Sequence, residues 1–476
     1  MNQSVLTPGG AIRPMFSNRD LLLLIWPLIA EQFLSLTVGM ADIVMVGRLG
    51  EAAVSGVSLV DNIQILLNNL FSALSTGGAV VCAQYIGKNR PDLSSRAAKQ
   101  LVYTVSVFSV TLAAAGLLFR NGLLPFVFGK IEADVMQEAQ TYFLVMMFAL
   151  PSIGMYNVCS ALFRAQGNSR ISMYIAALIN VMNIGGNYLG IFVLNLGVLG
   201  AAVSTLCSRT VAAAVLFILL YRNKPVQGAE ICHAGGSVPD GFRNTQAVSL
   251  RGILRIELDG RIIRHILGIG IPNGIENSMF QIGKIVVLSL IATFGTSAIA
   301  ANAAANTIAG FEVLPGSAIG LAMLTVIGRC AGAGQLKEAE RFTWKLMKIT
   351  YICMLVLNAG ILIFARPIIS VYGLMPGTEE LAWNMLFCHG FFSIFFWPPS
   401  FTLPNSLRAL NDAKFTMVVS MLSMWFIRIG LSYVLAWTTD AGAMCSWIAM
   451  TVDWVFRGAA FFVRFKREKW MKKATI

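Results

Sequence analysis

Charged residues are scarce in this chain of 476 residues: lysine, arginine, aspartate and glutamate together make up 12%. An average soluble protein carries about 25%. So little charge excludes an ordinary water-soluble domain, and 56% hydrophobic residues point to a lipid bilayer instead. Histidine is rarer still, at three residues, and no HExxH pattern occurs. The eight cysteines (82, 159, 207, 232, 330, 353, 388 and 445) show no CxxC spacing. They read as small core residues rather than as metal ligands or a disulfide frame. GxSxG is missing as well, so no enzyme class finds support and no cofactor is expected. No cleavable signal peptide is expected either, because the first apolar run is too long for a signal h-region.

What the chain does have is long greasy runs. A membrane-spanning helix needs about 20 mostly apolar residues. Twelve segments qualify: 20–46, 53–80, 99–119, 138–160, 171–194 and 198–221, then 265–292, 297–324, 344–366, 381–404, 415–437 and 441–463. The fold expected is an all-α membrane protein. Its twelve transmembrane helices fall into two pseudo-symmetric six-helix lobes. Residues 1–222 form the first lobe, 223–264 a polar cytoplasmic linker, and 265–476 the second lobe with a basic cytoplasmic tail.

The net charge of +13 is explained by placement. If the N-terminus is cytoplasmic, 28 of the 36 lysines and arginines fall in cytoplasmic segments. That is the positive-inside bias, so both termini are expected in the cytoplasm of a multi-pass plasma-membrane protein. The positive charge then faces anionic lipid head groups, and no nucleic-acid partner is needed.

The two halves echo each other. At an offset of 245 residues, Pro27 meets Pro272, Glu31 meets Glu276, Gly50 meets Gly295 and Arg96 meets Arg341. At an offset of 244, RAQGNSR (164–170) meets RALNDAK (408–414). Six spans per half give both halves the same orientation in the membrane. Parallel repeats of this kind are a transporter architecture, with sites near the midplane and rocking of one half against the other.

Five segments carry a family likeness: MADIVMVGRLG, GIPNGIENSMFQIGK, TLPNSLRALNDAKFT, SMWFIRIGLSY and WIAMTVDWVF. They resemble the multidrug and toxic compound extrusion (MATE) family, and its bacterial members above all. The resemblance implies a twelve-helix, two-lobe exporter of the bacterial inner membrane, working as a monomer. It would expel drug-like organic cations or other amphipathic compounds in exchange for inward Na+ or H+. A lipid-linked oligosaccharide flippase of the same superfamily is the alternative. Such a flippase would want a strongly basic cavity, yet only Arg209, Lys284, Arg428 and Arg457 fall inside spans.

Acids inside spans are expensive and need a partner, a water-filled cavity or a proton. Asp42 in the first span comes to similar depth as Asn183 and Asn187 in the fifth and Thr205 in the sixth. A carboxylate with amide and hydroxyl oxygens is an all-oxygen nest for a hard cation, and it equally suits a carboxyl that takes up a proton. The resemblance implies the same four positions, since one prokaryotic branch couples through an aspartate, an asparagine, a second aspartate and a threonine there. Here the second acid is Asn187, which leaves one negative charge. Asn157 in the fourth span also matches a family position.

In the second half, Glu276 follows Pro272 and shares its span with Gln281 and Lys284. Arg428 and Asp453 are further charges of that half. This set reads either as a coupling site or as a structural ion pair, Glu276–Arg428 or Glu276–Lys284. Another family branch couples through a glutamate of the seventh span, about eight positions after the proline, whereas Glu276 sits four after it. Glu31, the repeat mate of Glu276, follows the same reasoning. Asp61 and Glu312 read as local hydrogen-bond partners of Asn62 or nearby backbone. His389 reads as a core histidine, with a proton relay as the second possibility.

Overall fold

In the computed structural model of the protein the described residues are 14–129, 132–223, 248–468, 470, 471 and 473. Residues 224–247 of the expected linker, with Cys232, lie outside them. So do Arg13, Lys130, Lys469 and Lys472 of the charge map.

Among the described residues the secondary structure is helical and contains no strand. The first half comprises α1 (Asn18–Val46), α2 (Glu51–Gly87), α3 (Pro91–Leu118), α4 (Arg120–Phe128), α5 (Ala133–Ala165), α6 (Ser169–Asn187) and α7 (Val198–Arg222). The second comprises α8 (Gly260–Ala292), α9 (Thr296–Glu312), α10 (Leu314–Gly332), α11 (Leu336–Ile363), α12 (Ala365–Ser370), α13 (Pro376–Trp397), α14 (Leu403–Ala409), α15 (Ala413–Leu422), α16 (Ser432–Thr438) and α17 (Met444–Lys466). Of three π-helical stretches, Tyr188–Val193 extends α6, Pro398–Thr402 joins α13 to α14 and Ser423–Leu431 joins α15 to α16. Among the described residues ten such rods are long and apolar enough to cross a membrane. Rods led by α13 and α17 stand at the remaining two of the twelve expected spans.

Local chemistry explains the ends. Ser17 caps α1 through a reciprocal box: its hydroxyl accepts from the Asp20 N–H at 3.1 Å, and the Asp20 carboxylate accepts from the Ser17 N–H at 2.9 Å. This satisfies two of the donors left open by a helix start. Gly50 before α2 and its repeat mate Gly295 before α9 both have left-handed backbone, with φ of 108° and 97°. A side chain there would strain the turn, which is why glycine recurs at both places.

The repeat extends to the element boundaries. α2 spans 51–87 while α9 and α10 together span 296–332, and α3 spans 91–118 while α11 spans 336–363, each 245 residues later. One difference is the break at Val313, between α9 and α10, where α2 runs on unbroken. Pro315, just inside α10, lacks the N–H that would continue the helix ladder.

By packing, the chain divides into two compact units, Met1–Gly274 and Ile275–Ile476. The division falls inside α8, not at the expected end of the linker. The reason is a close approach without side chains: a Cβ on Gly77 of α2 would lie 2.5 Å from the Ile266 carbonyl oxygen. The start of α8 therefore belongs to the first unit. Residues 248–259, expected as polar linker, also pack there. Val248 and Leu250 are fully buried, the Ser95 hydroxyl accepts from the Ser249 N–H at 3.0 Å, and the Gln100 amide donates to the Glu257 carbonyl at 2.6 Å. In the first unit α5 packs on α2, α3 and α7, while α6 packs on α1 and α7. In the second, α13 packs on α9, α11 and α17.

Candidate functional site

The site begins with two helices that touch backbone to backbone. Gly186 lies near the end of α6 and Gly190 one turn on, in the π stretch Tyr188–Val193, while Gly200 and Ser204 lie one turn apart on α7. A Cβ on Gly190 would lie 2.8 Å from Gly200 Cα. Small residues at four-residue spacing are the usual device by which membrane helices approach this closely. The approach brings polar groups into register: Ser204 Oγ donates to the Asn183 carbonyl at 2.9 Å, and Asn183 Nδ2 donates to Thr205 Oγ1 at 3.0 Å.

The chain of hydrogen bonds then crosses to α1. Asn187 Nδ2 donates to Asp42 Oδ1 at 2.6 Å and lies 3.3 Å from Asn183 Oδ1. All four residues expected to form the nest are thus joined in one network. Asn183 and Asn187 are buried, at 2% and 0% exposure, whereas Asp42 and Thr205 remain half-buried. Among the described residues Asn187 Oδ1 is buried with no hydrogen-bond partner. A carbonyl left open beside a carboxylate is an unfilled acceptor, and buried polar groups rarely stay unfilled without a reason. Immediately after Asn187 the helix widens into the π turn Tyr188–Val193; such turns are frequent at functional sites.

Asn157 does not join this network. Its amide donates to Asn68 Oδ1 at 2.9 Å and to the Ile153 carbonyl at 3.0 Å, tying α5 to α2. Two residues outside the expected nest are drawn toward it. Asp61 of α2 does not bond Asn62, which donates to the Ser58 carbonyl instead. It accepts from the Tyr142 hydroxyl of α5 at 3.3 Å and lies within Coulomb reach of Asp42. Arg209 of α7 lies within reach of Asp42 and stands over the Tyr156 ring at 5.6 Å. A signal for Arg209 was present in the sequence: it follows Thr205 by four residues, hence on the same helix face.

The acids of the repeat pair have a different character. Glu31 is 4% exposed and is held by Arg164 at 2.9 Å, with Ser160 at 3.3 Å. Glu276, 5% exposed, is held by Arg408 at 2.8 Å and Arg457 at 3.6 Å, and accepts from Ser420 at 2.7 Å. Arg164 and Arg408 are the repeat mates at the head of RAQGNSR and RALNDAK, so one Glu–Arg clasp occurs in each half. The expected partners of Glu276 are therefore corrected. Lys284 and Arg428 each sit over the Phe280 ring at 5.3 Å, and Arg428 Nη2 approaches Met450 Sδ at 3.1 Å. Lys284 is eight residues from Glu276, about 12 Å along the helix axis, while α14 brings Arg408 beside it. Asp453 accepts from Ser423. Gln281 is half-buried and makes no side-chain hydrogen bond among the described residues.

Glu312 and His389, expected as separate local features, are hydrogen-bonded to each other. The Asn358 amide donates to the Glu312 carbonyl at 3.3 Å. The Trp447 and Trp454 rings meet the imidazole edge-on, with centroids 5.8 and 5.0 Å away.

The MatE family model matches this chain twice, over residues 27–189 and 272–434. The two matches start and end 245 residues apart, the offset of the internal repeat, and together cover about two thirds of the chain. Over 463 residues the chain is 25% identical to a probable multidrug resistance protein NorM of Thermotoga maritima, covering 96% of this chain and 94% of that one. It is 26% identical to the uncharacterized transporter YisQ of Bacillus subtilis, covering 99% of both. Among solved structures, an outward-facing multidrug resistance MATE family transporter superposes with a TM-score of 0.84 at 18% identity, covering 95% of this chain and 96% of that one. A MATE structure in the bent conformation also gives 0.84, at 18% identity and 96% coverage of both.

Proposed function

On the premise that the chain belongs to the MatE family, we propose that it is a cation-coupled antiporter. It exports drug-like organic cations or other amphipathic compounds by alternating access, in exchange for Na+ or H+. Asp42, Asn183, Asn187 and Thr205 bind the coupling ion. The observation that carries this reading is the Asp42 carboxylate bonded to a buried amide whose own oxygen is left open. Carboxylate, amide and hydroxyl oxygens suit a hard monovalent cation, and no redox-active or soft ligand lies among the four.

The chain's own residues do the work as follows. Asn187 and Asn183 hold Asp42 in place and relay its orientation to Thr205. With the site empty, the carboxylate is a half-buried negative charge that opposes tighter packing of α1 against α6 and α7. A cation neutralises it and removes that opposition, so the three helices repack and the affinity for exported substrate falls. An equal charge moved inward gains about 2.3 kcal/mol per 100 mV, and a tenfold ion gradient adds about 1.4 kcal/mol. Together these sustain a substrate gradient of a few hundred-fold when no net charge leaves with the substrate.

In this reading the protein is a monomer with both termini in the cytoplasm, where the basic segments meet anionic lipid. The Glu31–Arg164 and Glu276–Arg408 clasps are structural. Each carboxylate is already neutralised by a guanidinium, so neither needs an arriving ion. The names of the relatives favour drug-like substrates over a lipid-linked oligosaccharide.

The test is ethidium or DAPI transport into inverted vesicles, driven separately by a Na+ gradient and a pH gradient. Wild type accumulates dye under at least one gradient, and Asp42→Asn accumulates none while remaining monodisperse in detergent. Full coupled transport by Asp42→Asn would overturn the assignment.

A further inference from the structure

Three cations of the second unit share one aromatic ring. Lys284 Nζ stands 5.3 Å from the Phe280 centroid, the Arg428 guanidinium 5.3 Å and the Arg457 guanidinium 5.9 Å. The carboxylates around them are too few. Glu276 lies 3.6 Å from Arg457 and is held more closely by Arg408, at 2.8 Å. Asp453 accepts from Ser423, in the π stretch that carries Arg428. With both acids set against all four cations, the cluster keeps two positive charges in excess. Among the described residues Lys284 and Arg428 form no ion pair, and the one hydrogen bond of the Arg428 side chain goes to Met450 Sδ at 3.1 Å. A thioether is a weak acceptor. Arg428 is 9% exposed and Arg457 2%, yet Arg428 Nε and Arg457 Nε and Nη1 have no hydrogen-bond partner among the described residues. Buried donors rarely stay open without a reason. Lys284 supplies the way in. It is exposed, and a charge on a membrane span faces water rather than lipid tails.

We propose that this cluster binds the acidic group of an amphipathic organic anion or zwitterion. The ligand's carboxylate accepts from Arg428 and Lys284, and its aromatic body packs against Phe280 and Phe401. The two rings meet edge-on with centroids 6.0 Å apart, and Arg457 lies 4.4 Å over Phe401. A ring face attracts a cation electrostatically and leaves its N–H donors for a ligand. A guanidinium fork matches the two oxygens of a carboxylate. The helix is widened at Arg428 into the π stretch Ser423–Leu431, a form frequent at functional sites. The proposal deepens the exporter reading by naming a substrate class, and it rests on that reading for the step from binding to export.

Two probes of opposite charge separate this role from a structural one. Binding of tritiated 2-naphthoate and of ethidium to the purified full chain in detergent is measured at fixed pH and ionic strength. Wild type is expected to bind 2-naphthoate saturably. Lys284→Gln and Arg428→Gln are each expected to weaken that binding by about tenfold or more, the effect of one unit charge at close range in a partly dry site. Both are expected to bind ethidium at least as tightly as wild type, because a repelling charge is gone. Lys284→Arg, which keeps the charge, is expected to hold 2-naphthoate within about threefold of wild type. A wild type that binds no 2-naphthoate, even one that binds an anionic lipid such as phosphatidylglycerol, overturns the proposal. So does unchanged 2-naphthoate affinity in both glutamine variants, or a parallel loss of both probes, which would mark a folding defect. Those results would leave the coupling role of Asp42 standing, since that role is judged by dye transport in Asp42→Asn.

Discussion

Gly200→Ala is the change that asks most of the site while touching none of its polar groups. A Cβ on Gly200 would lie 2.6 Å from the Gly190 carbonyl carbon, 2.8 Å from its oxygen and 2.9 Å from its Cα. All three are backbone atoms, so no side chain can rotate away. An ordinary carbon contact needs about 3.5 Å or more, so α7 must move off α6 by roughly 0.9 Å at this crossing. One turn further along, Asn183 Nδ2 donates to Thr205 Oγ1 at 3.0 Å. A displacement of that size carries the pair past about 3.5 Å, beyond hydrogen-bond range. Overpacking of this kind costs about 1–3 kcal/mol. The half-buried hydroxyl and the buried amide, released from each other, add to the loss. The assay is thermal unfolding of the purified protein in detergent, with Na+ or choline, alongside dye transport in vesicles. Gly200→Ala is expected to unfold at lower temperature, to lose most of any Na+-dependent stabilisation, and to transport more slowly than wild type. Gly122→Ala, where a Cβ meets nothing within 4 Å, is expected to behave as wild type. If Gly200→Ala matched wild type in both stability and ion response, the argument that glycine contact sets the geometry of the nest would fail.

Three further outcomes follow from the geometry. Arg408→Ala leaves the buried Glu276 carboxylate with only the longer Arg457 contact and Ser420 and is expected to destabilise the protein by up to about 3 kcal/mol, with part of the loss recovered in the double variant Arg408→Ala/Glu276→Gln; thermal unfolding reads both. Glu31→Gln is expected to lower stability while leaving the ion dependence of dye transport unchanged, and a lost ion dependence would reassign Glu31 from clasp to coupling site. Asn187→Asp puts a second carboxylate against Asp42 and is expected to strengthen Na+ binding at neutral pH, measured by radioactive Na+ titration; a weakened affinity would show that the Asn187 amide donor matters more than added charge.

Much of this was legible in the chain. The twelve spans follow from apolar runs long enough to cross lipid, and their expected limits fall close to the helix ends seen here. The helices reach further at several of them. α2 runs to Gly87 and α5 to Ala165, because a helix does not stop where hydrophobicity does but where a turn residue such as Asn89 or Gly167 adopts positive φ. Asp42, Asn183, Asn187 and Thr205 are grouped by depth, which the fixed rise per residue supplies, and by the family likeness. Asn157 is named from the family likeness alone, and its amide bonds Asn68 and the Ile153 carbonyl rather than the network around Asp42.

The amino-acid sequence by itself determined that this is a helical membrane protein, where its spans lie, that it is built from a repeat, and which polar groups share a level. Each of these depends on hydrophobic length or on spacing along the chain, and both are local properties. Only the tertiary structure decided which charge meets which. Glu276 found Arg408 and Arg457 rather than Lys284 on its own helix, Glu312 found His389, and Asp61 found the Tyr142 hydroxyl. Partner choice depends on how each helix is rotated and how near its neighbours come. At this site that nearness is set by two bare glycine backbones in contact.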